Sequence, residues 1–94
     1  MADQVSVHSA SALIYTGAGS LAGFVVSASS VSATSLITFY DNTAGSGTKI
    51  FEVYVVGSHP IMIFFTDRFA PRFATGLYVT LASGMTVTVW SRQL

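Results

Sequence analysis

The chain has 94 residues, of which 51% are hydrophobic and only 9% charged, and four Lys and Arg residues balance four Asp and Glu residues. A neutral chain lacks the electrostatic footprint for nucleic acid or an anionic membrane, and a chain without cysteine has no disulfide framework or thiolate metal site. The N-terminus has no signal-peptide pattern, and no run of ~18 apolar residues predicts a membrane span. We expect one domain, residues 1–94.

The imbalance between hydrophobic and charged residues predicts association. Soluble domains usually carry about 25% charged residues, far more than the 9% present here. A single small core cannot absorb so much apolar side chain. Part of the surface is therefore expected to be covered by other chains. A monomer coated in Ser and Thr is the alternative.

The N-terminal third predicts three short strands at residues 5–8, 12–15 and 21–27. Residues 5–8 alternate apolar and polar, as a half-buried strand does. Gly23 lies inside the third strand, where a glycine marks a bulge or a close backbone approach. The small residues at 28–35 predict a surface loop.

The middle of the chain reads as strand, turn, strand. Residues 36–40 are apolar, β-branched and aromatic, and a second strand follows at 48–56. Nearly every residue between them, 41–47, is a turn former. We therefore expect an exposed loop at one end of an antiparallel fold.

The C-terminal part begins with a turn at 57–60 and a short apolar run at 61–65, which predicts a strand that is buried on both faces or covered by a partner. Residues 66–73 are expected to be irregular, because Pro71 cannot donate to a ladder. Two further strands are predicted, at 77–81 and 85–90.

About eight short strands, without a helical period, predict an all-β fold: a single antiparallel β-sandwich, jelly-roll-like, with a small barrel as the alternative. The apolar side of each strand predicts the core, which comprises Phe39, Phe51, Val53, Val55, Phe64, Leu77, Val79, Val87 and Val89.

The sequence supplies little catalytic chemistry. Asp41 and Asn42 could offer oxygens to a cation, but a Ca²⁺ site needs several, and turn formation is the favoured interpretation. His8 and His59 have no local third metal ligand. No serine lies in a G-x-S-x-G elbow, and Lys49 is followed by a strand rather than the helix that a phosphate loop requires. We expect no enzyme activity, no metal and no cofactor.

The segment containing Arg68, Phe69, Arg72 and Phe73 interleaves two cations with two aromatics, a pattern that can bind single-stranded nucleic acid. Two cations in a neutral chain make a weak footprint. The favoured interpretation is that both Phe side chains anchor the segment to the core while the arginines pair with Asp67 or a neighbour.

Two stretches carry a resemblance to a known class of proteins. The strand LITFYDNT (residues 36–43) precedes a Gly/Ser loop, and RFATGLYVTL (residues 72–81) leads into GMTVTV (residues 84–89). Together they resemble small β-sandwich structural proteins of tailed bacteriophages, of the capsid decoration (cement) or head-fibre kind. The resemblance implies a virion protein that assembles from identical copies.

The expected function is a structural one: a decoration protein on the virion capsid surface that binds the major capsid protein as a homo-oligomer. A trimer is expected because many such decorations occupy threefold positions. A tail or fibre component is one alternative, and a carbohydrate-binding module that presents Trp90 or Tyr78 is another. The apolar run and the following segment provide the expected interface residues: Ile61, Ile63, Phe65, Arg68, Phe69 and Arg72.

Overall fold

The computed structural model describes residues 3–28, 35–55, 60–66, 68–81 and 84–93. Within those ranges the ordered elements are all strands: β1 (Asp3–His8), β2 (Ala12–Thr16), β3 (Gly19–Ala28), β4 (Ser35–Asp41), β5 (Thr48–Val55), β6 (Ile61–Phe64), β7 (Arg72–Phe73), β8 (Gly76–Thr80) and β9 (Met85–Gln93).

Two antiparallel sheets pack face to face. Sheet A has the order β1-β9-β3-β6, with β7 also paired to β3, and sheet B has the order β2-β8-β4-β5. One long hairpin accounts for four nested strand pairs: β4 with β5, β3 with β6, β2 with β8 and β1 with β9. This hairpin is rolled up, so that β3 also pairs with β9 and β4 with β8. This arrangement is a jelly roll, so the predicted all-β, jelly-roll-like sandwich is confirmed.

The strands lie close to their predicted positions, with one addition. β7 occupies two residues of the segment expected to be irregular. Pro71 directly precedes it, and the Pro71 carbonyl accepts a hydrogen bond from Leu21 N at 2.8 Å. A proline is tolerated here because only its carbonyl is used. The loop predicted at 28–35 and the turn at 57–60 lie outside the described residues, apart from their flanking positions.

The core lies between the sheets and is fully apolar at its centre. Phe24 of sheet A packs against Phe39 and Phe51 of sheet B, with ring centroids 5.0 and 5.7 Å apart. Such tilted and edge-on pairs are favoured geometries for aromatic rings. The buried cluster comprises Leu21, Phe24, Val26, Ile37, Phe39, Val55, Phe73, Leu77, Val79, Met85, Val87 and Val89.

Most of the predicted core is confirmed, but Phe64 is not part of it. Phe39, Val55 and the four predicted residues of β8 and β9 are fully buried, whereas Phe51 and Val53 are partly buried against the cluster. Phe64 points to the outside of sheet A. The run at 61–65 is apolar at every position, so it has no alternation from which the inward side could be read.

Candidate assembly surface

The outer face of sheet A carries apolar side chains that no described segment of the chain covers. Residues opposite each other in an antiparallel pair point to the same side of the sheet. One row places Trp90 and Phe64 on either side of Gly23, and the next places Met62 beside Val25. Pairing of β1 with β9 adds two valines, one of which is separated from Val25 by Thr88. We name this set the apolar face: Val5, Val7, Val25, Met62, Phe64 and Trp90.

Strand β1 turns its apolar side outward. Val5 and Val7 are 56% and 65% exposed, whereas Ser6 and His8 lie on the inner side, opposite buried valines of β9. A one-residue shift in register would exchange the two sides of the strand. The observed register instead leaves both valines at the surface. Valines outside and polar residues inside are the reverse of what a solvent-facing strand requires.

An aromatic pair forms the centre of the apolar face. The Phe64 and Trp90 rings lie 5.0 Å apart between centroids, at 59° to each other. Gly23 lies between them, next to a β-bulge, and a Cβ atom there would collide with the Phe64 ring. The predicted bulge or close approach at Gly23 is thereby confirmed. Because glycine has no side chain, the two rings can approach each other across β3.

A charged row borders the apolar face at one end. Ser20 of β3 pairs with Arg92 on one side and with Arg72 on the other, and Arg92 also lies opposite Asp3 of β1. Apolar residues therefore predominate at the centre of this surface, with one threonine of β9 among them, and charged residues lie at its margin. Protein–protein interfaces have the same arrangement, with an apolar core and a polar rim.

The outer face of sheet B is built differently, because polar and charged groups stand on it. Thr38 Oγ1 donates to Glu52 Oε2 at 3.0 Å, and Lys49 Nζ lies 3.1 Å from the same oxygen. The Lys49 hydrogen bond and then the Thr38 hydrogen bond lower the pKa of Glu52, and Glu52 in turn raises the pKa of Lys49. The tyrosines of this face are Tyr40, Tyr54 and Tyr78, and two leucines lie among them: Leu13, which is 41% exposed, opposite Tyr78, and Leu36 opposite Tyr54.

The loop after β4 folds back over sheet B. Its Gly45 approaches the side chains of Tyr78 and Thr80 so closely that a Cβ would lie 3.2 and 3.1 Å from them. Asn42 closes the loop by donating from Nδ2 to the Ser46 carbonyl at 2.8 Å. The loop is exposed to solvent, as predicted. It also covers part of the sheet beneath it.

Asp41 fixes the start of this loop. Its Oδ1 accepts backbone N–H bonds from Ala74, Thr75 and Gly76 at 3.0, 2.9 and 3.4 Å. These donors, Thr75 foremost, lower the pKa of the Asp41 carboxyl below its ordinary value, because they stabilise the charged form. Asp41 therefore ties the loop to the turn before β8 rather than offering a cation ligand.

The predicted interface residues fall into two groups. Ile61, Ile63 and Phe65 are partly buried and pack against the core cluster, so the outward residues of β6 are Met62 and Phe64. The other three predicted residues are exposed; they are Arg68, Phe69 and Arg72. The sequence offered no signal for Val5 and Val7, whose alternation fits either side of a sheet.

The described residues contain no cluster of three or more His, Asp or Glu side chains that could hold a metal ion. His59 lies outside them. His8 Nε2 lies 3.0 Å from Ser6 Oγ, but no described carboxylate orients this imidazole as a triad requires. None of the described segments forms a helix long and apolar enough to cross a membrane.

Comparison of the chain with protein-family models, with curated proteins and with solved structures finds no match in any of the three. A jelly-roll fold on its own does not specify a function, because the same architecture serves viral capsids, lectins and cupins. The features of this molecule that bear on function are therefore the two outer faces of the sandwich and the segments at their edges.

Proposed function

We propose that this protein is a structural component of a tailed-bacteriophage virion, a decoration or cement protein that lies on the capsid surface as a homo-oligomer. The observation that carries the proposal is the apolar face of sheet A, with valines turned outward on β1. The resemblance of residues 36–43 and 72–89 to small phage structural proteins supplies the biological setting. A tail or fibre component is the alternative setting for the same assembly.

The apolar face is modest in area. Two rows on four strands cover roughly 250 Å² of sheet, given strand spacings near 4.8 Å and about 7 Å between rows. Ordinary monomers expose apolar patches of about 300–600 Å², so it is the exposed side chains, rather than the area, that favour a contact surface. Met62 at 68% and Phe64 at 55% exposure are the largest contributors from β6. Covering them would remove apolar surface from water and stabilise an assembly.

A second copy of this chain is the occupant we propose for the apolar face. The face carries no charge of its own, so two copies can meet there without like-charge repulsion. A closed cyclic assembly would bury the face and stop further growth. The expectation of three copies comes from the resemblance, since many phage decorations occupy threefold positions. The major capsid protein is then the second partner.

Carbohydrate binding is the weaker candidate. Trp90 and Tyr78 lie on opposite sheets, so they do not form one platform. Trp90 contacts Phe64 within an apolar surface, and Tyr78 is approached by Gly45 of the loop. Sugar sites need polar groups that converge on the ligand. A glycan array with strong hits would favour this candidate over assembly.

The assembly is tested by charge substitution on neighbouring residues. Met62→Lys places a charge on the apolar face, and we expect it to convert the oligomer to a folded monomer. Tyr54→Lys on the outer face of sheet B is the matched control, because Tyr54 is 62% exposed and outside the apolar face. Light scattering coupled to size-exclusion chromatography measures the mass.

A wild-type monomer at micromolar concentration would refute self-association, and a dimer would refute the threefold arrangement alone. Ile63→Lys is unsuitable for this test, because Ile63 packs on the core and its replacement would also destabilise the fold. The setting on the virion is tested separately. Mass spectrometry of purified particles should count hundreds of copies for a capsid decoration and few for a tail part.

A further inference from the structure

Phe69 projects from the edge of sheet A and is 73% exposed, the highest fraction among the exposed large hydrophobic residues of the described chain. It lies in the connection between β6 and β7. The favoured interpretation of the sequence, that both phenylalanines anchor this segment, holds for Phe73, which is buried at 2%. It does not hold for Phe69.

The segment that presents Phe69 is held at both ends. Phe65 N donates to the Ala22 carbonyl at 2.9 Å where the segment leaves β6, and Leu21 N donates to the Pro71 carbonyl where it returns. Phe69 N closes a turn onto the Thr66 carbonyl at 2.9 Å. A turn fixed in this way loses little entropy when a partner binds its tip.

Two arginines belong to the same short segment as Phe69. Arg68 and Arg72 are both exposed, and neither forms an ion pair with another described residue. The other two Lys and Arg residues are engaged: Lys49 pairs with Glu52, and Arg92 makes an interaction within the chain. Two of the four Lys and Arg residues therefore lie, exposed, in the segment that presents Phe69.

We propose that Arg68, Phe69 and Arg72 form a docking site for a different protein, one whose surface offers an apolar pocket bordered by carboxylates. This inference rests on the proposed function. It assigns attachment to the capsid to the segment that presents Phe69, and self-association to the apolar face. Arginine and aromatic residues, phenylalanine included, are enriched in protein–protein interfaces. Arginine also pairs with carboxylates in a bidentate geometry.

A second copy of this chain is a poor match for the docking site, because it has few carboxylates to offer. The sequence contains four, and the first of them, Asp3, lies opposite Arg92 in the β1·β9 pair. Asp41 accepts three backbone N–H groups, and Glu52 is bound by Lys49 and Thr38. Asp67 belongs to the same segment and lies outside the described residues, so its influence on Arg68 is included in the test.

The test uses a random peptide library displayed on yeast, selected with the full-length protein and counter-selected with Phe69→Ala. We expect the enriched peptides to combine two or more Asp or Glu residues with an apolar residue. For the tightest peptide, Phe69→Ala and the double variant Arg68→Glu, Arg72→Glu should each weaken binding at least about tenfold, as for interface anchors. Binding should also weaken as salt is raised.

The controls separate this proposal from the assembly proposal. Met62→Lys should bind the selected peptide as the wild type does, even as a monomer. Asp67→Asn should bind equally or more tightly, since it removes a competing carboxylate. Circular dichroism and thermal melting establish that each variant is folded.

The docking site is refuted if no peptide dependent on Phe69 is selected, if the selected peptides lack acidic residues, or if single-stranded DNA or anionic vesicles bind more tightly than the peptide. A wild type that is monomeric and still binds the peptide would leave the docking site standing while contradicting the assembly.

Discussion

The two sheets belong to one jelly roll, yet their outer faces carry different kinds of side chain. The outer face of sheet B carries tyrosines and an ion pair, and the loop anchored by Asp41 folds back over part of it. The outer face of sheet A carries the apolar face, and no described segment lies over it. An outer face that bears polar groups and is partly covered by a loop of its own chain suits contact with water. An exposed apolar face suits contact with a second molecule.

Substitutions on the inner sides of the two sheets should lower the stability by similar amounts, because the two sheets differ in their outer faces and share one core. Phe24→Ala in sheet A and Phe39→Ala in sheet B each remove a fully buried ring. Each is expected to lower the free energy of unfolding by about 3–5 kcal/mol, from lost burial and the cavity left behind. Urea denaturation of the two variants measures this effect. A cost below about 1 kcal/mol at Phe39 would mean that sheet B does not pack as described.

Asp41 fixes the loop that covers part of sheet B, so Asp41→Asn should lower the free energy of unfolding, but by less than the two core substitutions do. We expect a loss of about 1 kcal/mol at neutral pH, similar to removing a side chain that caps backbone N–H groups. The folded-state pKa of Asp41 is lowered, so its stabilisation is present above the unfolded-state pKa of about 3.9 and disappears as pH falls through the folded-state pKa.

Denaturant unfolding of wild type and Asp41→Asn at neutral and acidic pH tests this expectation, with exposed Thr43→Ala as the control. The two curves should converge in acid. A difference that persists at the lowest pH would show that Asp41 acts through packing rather than through its charge.

The smallest effect is expected at the ion pair on sheet B. Lys49 and Glu52 are both substantially exposed, and exposed pairs contribute little because water and salt screen them. Glu52→Gln should therefore leave the free energy of unfolding unchanged within error, and the result should not depend on salt. A clear loss of stability would show that the charges on this face hold the sheet together, and the contrast with sheet A would need revision.

The sequence predicts the parts of this fold whose pattern is local. Residues 85–90 alternate strictly, and their inward valines are buried as expected. The turn formers at 41–47 likewise form an exposed loop. These features could be predicted because neighbouring residues alone determine them.

Features that depend on distant partners could not be predicted. The alternation of β1 shows that one side is apolar but not which side meets the core, and only pairing with β9 determines that. Every residue of β6 is apolar, so the sequence does not show which side of the strand faces inward, and the prediction that Phe64 is buried is wrong. The hydrogen bonds of Asp41 join residues more than thirty positions apart in the chain, between Asp41 and Thr75. Local sequence contains no trace of such contacts.

The rolled-up hairpin also has a consequence for the order of folding. β4 and β5 are near neighbours in the chain, whereas β1 pairs residue 3 with residue 92. Topologies dominated by such distant pairings fold slowly, in milliseconds to seconds. β9 lies between β1 and β3, so sheet A cannot close until synthesis has passed Gln93. During translation the β4·β5 hairpin can form early, whereas the apolar face is complete only once β9 has been synthesised, so the proposed subunit contact cannot form before then.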